Sequence, residues 1–289
     1  MHLTPRIRLL VGAVATIVAL GAVMAGPAAA ITDGELDGNG HPYVGLLLAQ
    51  DADGQPLWRC SGTLLSDRIF LTAGHCTEAP AAHVELFFDA GPIPIDPAFL
   101  AAGSVCSATI TGYPCTGDVG GTPFTHPQYN PNAFFLHDLG VAVLDEAHPM
   151  LSYGALPTLN QMDAFKTRRG TQNVGFTSVG YGRQKSFPTA AAWKNSAIRV
   201  RMVAHPHLIQ INVPGFTGDF SILLSNNTAT GGTCFGDSGG PNFIGTANVI
   251  GGVTSFGLNT NCAGTGGVYR VDKADDLDWL EGAFGAWLP

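Results

Sequence analysis

The chain has 289 residues carrying 14 basic and 22 acidic side chains, a formal net charge of −8, and only 12% of its residues are charged. That acidic balance has the wrong sign for phosphate backbones and anionic lipid, so nucleic acid and membrane surfaces are excluded as partners. The length allows one large domain or two fused small ones.

In chain order, Arg6 and Arg8 precede an apolar run from Leu9 to Ala25, Gly26-Pro27 breaks it, and Ala28-Ala29-Ala30 follows. This is the pattern of a cleavable signal peptide over residues 1–30, leaving a secreted chain of residues 31–289. An uncleaved anchor is the competing reading, against which the helix breaker and the alanine triplet argue. Short β-branched or apolar runs bounded by turn residues then predict strands at Tyr43–Leu48, Gly62–Leu65, Ile69–Thr72, His83–Phe88, Gly140–Leu144, Gly175–Gly180, Ile198–Val203, Ile222–Leu224, Val249–Thr254 and Gly267–Val271. Helical periodicity is clear only at the C-terminus, where Leu277, Leu280 and Phe284 share a face and Asp275-Asp276 can cap the start. The expectation is an all-β sandwich or barrel, and two packed barrels would look the same. Lys194 to Arg201 reads as a solvated basic strip. His205-Pro206-His207 offers two imidazoles and no third ligand, so no metal is expected there. No cofactor motif is present.

Six cysteines, Cys60, Cys76, Cys106, Cys115, Cys234 and Cys262, follow the leader. In an exported chain an even count predicts three disulfides, with several pairings open.

Residues 231 to 241 read Gly-Gly-Thr-Cys-Phe-Gly-Asp-Ser-Gly-Gly-Pro. Glycines around Ser238 permit a strained, closely approached backbone, and the N–H groups of Gly236 and Ser238 could converge on a developing oxyanion. Chain order restricts the chemistry further. A Ser…Asp…His hydrolase needs a histidine after the nucleophile, and the last histidine here is His207. An Asp…His…Ser order belongs to an α/β fold, which the β-rich text contradicts. The His…Asp…Ser order remains. His75 in Leu71-Thr72-Ala73-Gly74-His75-Cys76 supplies the histidine, and Asp138 stands just before an apolar strand, where a buried carboxylate needs partners.

Thr72-Ala73-Gly74-His75-Cys76, Asp138-Leu139 and Gly236-Asp237-Ser238-Gly239-Gly240-Pro241 resemble the three signature blocks of the chymotrypsin/trypsin family of serine proteases. Further matches occur at His126-Pro-Gln-Tyr-Asn, Gly180-Tyr-Gly182, Ser255-Phe-Gly257 and Gly267-Val-Tyr269. The resemblance implies two packed six-stranded antiparallel β-barrels, about 31–160 and 161–289, with a short C-terminal α-helix and a catalytic cleft between the barrels. It implies a His75, Asp138, Ser238 triad, an oxyanion hole of Gly236 and Ser238, and support of Asp138 by Ser255. It also implies Cys60–Cys76 and Cys234–Cys262 bridges, which leaves Cys106 to Cys115.

In this family a new N-terminal Ile or Val pairs with the Asp before the nucleophile. Ile31 and Asp237 occupy those positions here, so leader removal would itself activate the chain. The primary pocket maps to Gly232, Thr233, Phe235, Phe256, Gly257 and Gly267; without a floor carboxylate it should favour a large apolar residue before the scissile bond. The expected partners are protein or peptide substrates, met by a monomer. The alternative is a secreted protein of protease fold that binds without turnover.

Overall fold

The computed structural model describes residues 31–166, 174–184, 198–213 and 217–289; the expected leader, residues 1–30, lies outside them. After a two-residue strand β1 (Glu35–Leu36), six strands form a closed antiparallel barrel: β2 (Val44–Gln50), β3 (Pro56–Leu64), β4 (Ile69–Thr72), β5 (His83–Phe87), β6 (Val119–Thr125) and β7 (Gly140–Leu144), in the order β2-β3-β4-β7-β6-β5. Every residue of β2 and β4 is buried. Their near-continuous apolar text reflects burial on both faces, inside the barrel and against its neighbours. A short helix α1 (Gly74–Thr77) closes the turn after β4 and carries His75. Helix α2 (Pro97–Ala101) starts at Asp96, whose side chain accepts the Ala98 N–H.

The second half comprises β8 (Phe176–Gly180), β9 (Met202–Ala204), β10 (Leu208–Val213), β11 (Gly218–Asn226), β12 (Pro241–Ile244), β13 (Ile250–Gly257) and β14 (Gly264–Arg270). With β1 at its edge the sheet runs β1-β9-β8-β12-β13-β14-β11-β10. Strands β9 and β10, near its two ends, are separated only by His205, Pro206 and His207, and Gly175 bridges to His207. The sheet therefore curls until it meets the same stretch of chain. Pro206, which lacks an N–H, divides what would otherwise be one strand. The final helix α3 (Ala274–Phe284) buries Leu280 and Phe284 as its periodicity predicts. Its N-cap is Lys273, with no side-chain cap. Asp276 turns inward instead and accepts the Tyr269 hydroxyl at 3.0 and 2.9 Å. Burial pushes its carboxyl up to about 8.

The cysteines pair as Cys60–Cys76, Cys106–Cys115 and Cys234–Cys262. The first two tie the α1 turn to β3 and close the loop before β6, and the third links the nucleophile loop to the segment entering β14.

The basic strip ending at Arg201 is not solvated there. Arg201 is completely buried. Its Nε donates to Asp37 at 3.0 Å, Nη1 to the carbonyls of Val44 and Phe88 at 3.1 and 3.0 Å, and Nη2 to Gly38 at 3.0 Å. One guanidinium thus binds the segment after β1, the first barrel and the second sheet. Its five donors in a fixed fork suit that task better than an ammonium would. Arg201→Ala should lower unfolding free energy by about 3–5 kcal/mol, because Asp37 and three carbonyls lose their donor in the interior. Urea unfolding measures this; a loss under about 1 kcal/mol, the scale of an exposed pair, would contradict it.

Candidate active site

Asp138 is fully buried, and three donors surround its carboxylate. The backbone N–H of His75 reaches Oδ1 at 2.9 Å, and His75 Nδ1 lies 3.1 and 3.0 Å from the two oxygens. The Ser255 hydroxyl donates to Oδ2. The geometry follows from local sequence. The turn before Asp138 passes through His137 in the left-handed region (φ 52°). In the β13–β14 register Thr254 opposes Val268 and Phe256 opposes Gly267, so Ser255 is the extra residue of a bulge. Such an insertion re-aims side chains locally.

With Nδ1 engaged, His75 has Nε2 left for the cleft. Burial alone would lower the His75 pKa, but the Asp138 charge and hydrogen bond, aided by Glu78, outweigh it and hold the imidazole above its ordinary 6.5. His75 and Ser238 line one cavity of about 570 Å3. Among the described residues no hydrogen bond joins Ser238 Oγ to His75; such contacts are often loose without substrate and tighten in the Michaelis complex.

Residues 234 to 240 form a tight nucleophile loop. Gly236 (φ 96°) and Gly239 (φ 77°) adopt positive φ. A Cβ on Gly239 would lie 2.0 Å from the Thr72 hydroxyl, so only glycine fits beside the His75 strand. Asp237, Gly239 and Gly240 all donate their N–H groups within the protein. Gly236 and Ser238 have no backbone acceptor for theirs among the described residues. Two unpaired amides two residues apart, one of them the serine's own, can receive an oxyanion.

Ser61 was not singled out by sequence, although it adjoins Cys60. Its N–H donates to the Ser238 carbonyl at 2.7 Å, its hydroxyl donates to the Gly236 carbonyl at 2.9 Å, and it accepts the Tyr181 N–H at 2.9 Å. It fixes the loop from below and orients the peptides that present those amides.

Of the residues mapped to the primary pocket, Thr233, Phe235, Phe256 and Gly257 line the cavity, with Cys234 and Cys262. Gly232 and Gly267 do not line it. A Cβ at Gly232 would stand 2.3 Å from Asn226, and one at Gly267 would stand 2.3 Å from the Phe256 ring. The Phe256 ring thus lies across Gly267 and forms the wall itself. The lone carboxylate lining the cavity is Glu78, beside His75 and Tyr129.

Ile31 is fully buried, clustered with Val200, Met202 and Ala204. Thr32 bridges to Gly232, accepting its N–H at 3.0 Å. Asp237, also fully buried, accepts the Gly182 and Cys234 N–H groups at 2.8 and 2.9 Å. In the uncut chain the Ile31 nitrogen is an amide, and no hydrogen bond joins it to Asp237. Burial pushes the Asp237 carboxyl up to about 7, against the pull of those two amides and of Arg59.

Among the described residues metal ligation has one geometric candidate away from the cleft, a cluster of His126, His137 and Asp276. His126 Nδ1 accepts the Gln128 N–H at 3.2 Å, which places the neutral ring's proton on Nε2, the atom facing Asp276 at 3.8 Å. That nitrogen has no lone pair for an ion. His205 lies at the β9–β10 bend with Nε2 3.6 Å from Glu35.

A family model described as Trypsin matches residues 116–279. The chain belongs to the trypsin family. Among solved structures, HL collagenase superposes with a TM-score of 0.63 at 21% identity, covering 88% of this chain and 99% of its own. Human heparin binding protein gives a TM-score of 0.58 at 20% identity, covering 88% and 97%. A mutant of that human protein gives 0.57 at 19%, covering 87% and 95%. At these identities the likeness establishes the fold. No curated protein matches.

Proposed function

We propose that this trypsin-family chain is a secreted serine endopeptidase in which His75, Asp138 and Ser238 act as a triad. The observation that carries the reading is a buried hydrogen-bonded chain, Ser255–Asp138–His75, directed at the cavity that Ser238 lines beside two unpaired amides. His75 takes the Ser238 proton as Oγ attacks the scissile carbonyl. The Gly236 and Ser238 amides receive the oxyanion, and the protonated imidazole then returns its proton to the leaving amine. Asp138 stays ionised, holding the tautomer and stabilising the imidazolium. Water attacks the acyl-enzyme by the same route.

The two halves are assigned as 31–160 and 161–289, and residues 1–30 as a signal peptide. Among the described residues no helix is long and apolar enough to cross a membrane. The enzyme acts as a monomer on proteins or peptides and needs no cofactor. A binding-only role would leave the complete triad unexplained. The polyanion in the name of heparin binding protein suits this chain poorly, given its net charge of −8.

At the Thr233–Cys262 end the cavity has aromatic walls from Phe235 and Phe256 and no carboxylate. It accommodates an apolar residue before the scissile bond and offers nothing to a lysine or arginine. A peptide panel varied at that position tests the reading: cleavage after Phe, Tyr or Leu is expected, and cleavage mainly after Lys or Arg overturns the pocket assignment.

The titration of His75 supplies a pH signature. Since the base must be neutral to accept a proton, kcat/KM should rise with pH through a midpoint above 6.5. Glu78→Gln removes one of the charges holding that midpoint up and should move it down. A profile with no limb in this region, or an upward shift in the variant, would contradict the assignment of His75 as base.

A further inference from the structure

All 22 carboxylate side chains of this acidic protein lie among the described residues. The buried arginines use them: Arg201 pairs with Asp37, and Arg270 with Asp163 and Asp272. Arg68 spends its guanidinium on the carbonyls of Leu144 and Asp145, and Arg199 on that of Ile93. Two partly exposed arginines, Arg59 and Arg183, have no ion pair and no hydrogen-bond acceptor for the side chain among the described residues. Arg59 acts without contact on the buried Asp237 carboxyl, which two backbone amides already hold. In a chain with an excess of acids, two guanidinium groups without an acceptor, set against successive residues of one loop, leave room for an anion from outside.

Both flank the segment that supplies the oxyanion amide. Arg59 Nε lies 3.4 Å from where a Gly236 Cβ would be, and the Arg183 guanidinium covers the Phe235 ring at 5.3 Å. The Arg183 N–H donates to the Phe235 carbonyl at 2.9 Å, which fixes the two residues together. Arg59 belongs to β3, the strand whose Ser61 holds the Ser238 and Gly236 carbonyls. It does not line the cavity that receives the residue before the scissile bond. The leaving amine takes its proton from His75, whose neighbour Cys76 is bridged to Cys60 of β3, so the leaving half of a substrate runs toward β3 and Arg59. The Arg199 charge extends the same field: burial and the nearby Arg59 charge both lower its pKa.

We propose that Arg59 and Arg183 form a carboxylate-binding subsite on the leaving-group side, selecting substrates with an acidic group one or two residues after the scissile bond. This deepens the peptidase reading and rests on it. The carboxylate could come from an Asp or Glu side chain or from a nearby free C-terminus. Guanidinium groups suit either, and their contribution to transition-state binding is electrostatic and screened by salt.

The test uses the full chain, expressed with its leader, and peptides sharing one acyl half. The leaving halves are Ala-Ala-amide, versions with Glu or Lys at either position, and the Ala-Ala free acid. At low ionic strength kcat/KM for Glu over Ala should be roughly 3- to 10-fold, falling toward unity near 0.5 M salt. The ratio should collapse in Arg59→Gln/Arg183→Gln and survive in Arg59→Lys. Preference for the free acid over the amide assigns the C-terminal carboxylate; preference within the amidated set assigns the side chain. A Glu/Ala ratio of one, a preference for Lys, or a ratio unchanged in the double variant overturns the proposal. A nitrophenyl ester with no leaving-group residues reports the peptidase reading separately. Ester turnover with no acidic preference defeats the subsite alone, and no ester turnover defeats both.

Discussion

Ser238→Ala should reduce kcat/KM on a good peptide substrate by about 10⁶-fold while leaving the fold intact, the scale seen when a serine protease loses its nucleophile. The position is partly exposed at the cleft, so removing one oxygen opens no cavity in the core. The Ser238 carbonyl contact is backbone and survives the change, since it is the 2.7 Å bond from the Ser61 N–H. His75→Ala should cost a comparable factor, and the double variant little more than either alone, because the two side chains perform one proton transfer. Losses that multiplied in the double variant would mean separate roles and would break the triad assignment. Steady-state kinetics with matched thermal melts make the comparison, since an equal Tm excludes unfolding as the cause.

A single extra residue in front of Ile31 should lower activity about 10²- to 10³-fold relative to a chain starting at Ile31. Asp237 is wholly buried within the nucleophile loop, and in the uncut chain its carboxyl is pushed up to about 7 by burial. Two backbone amides contact it, and a buried carboxylate so served lacks a full counter-charge. Ile31 already lies in an apolar cluster, and the Thr32–Gly232 bridge anchors the following residues against the nucleophile segment. Freeing the Ile31 nitrogen would place an ammonium within the same region. Its pairing with Asp237 would be worth about 3–4 kcal/mol if broken one-sidedly, the lower part of the range for a buried pair, which sets the fold-change above. The sign with pH follows. The pairing is present while the α-amino group is charged and is lost as pH rises past its ordinary value of about 8, giving an alkaline fall in activity. Equal activity in the extended and unextended chains would show that leader removal is not the activating event.

Elements that alternate or run apolar between turn residues were legible from sequence, as in β4, β7 and β8. Those missed have physical reasons. β6 reads Val-Gly-Gly-Thr-Pro-Phe-Thr, whose glycines and proline suppress the strand signal although barrel closure through β5 and β7 imposes the conformation. β12 begins at Pro241, directly after the nucleophile loop, so its text looked like loop. The helix cap expected from Asp275-Asp276 failed because Tyr269 offered Asp276 a buried hydroxyl, a tertiary contact with no local signature. At the site, the order of His75, Asp138 and Ser238 was readable because chain order restricts which hydrolase chemistry is possible. The Phe256 ring lying across Gly267 was not, because it depends on a bulge at Ser255 that only the register reveals. Nor was the role of Ser61, which acts across 175 and more residues of sequence. Arg201 looked solvated because composition carries no information on which of several neighbouring cations is drawn inward.

Covalent labelling with a fluorophosphonate, followed by peptide mapping, tests the central claim most directly. The label requires a serine activated by a neutral base and an oxyanion site, and nothing about substrate preference. For a chain beginning at Ile31, near-stoichiometric modification confined to Ser238 is expected, rising with pH as His75 deprotonates and disappearing in His75→Ala. No labelling of that chain, or a label on any other residue, would contradict the assignment of Ser238 as a nucleophile served by His75 and Asp138.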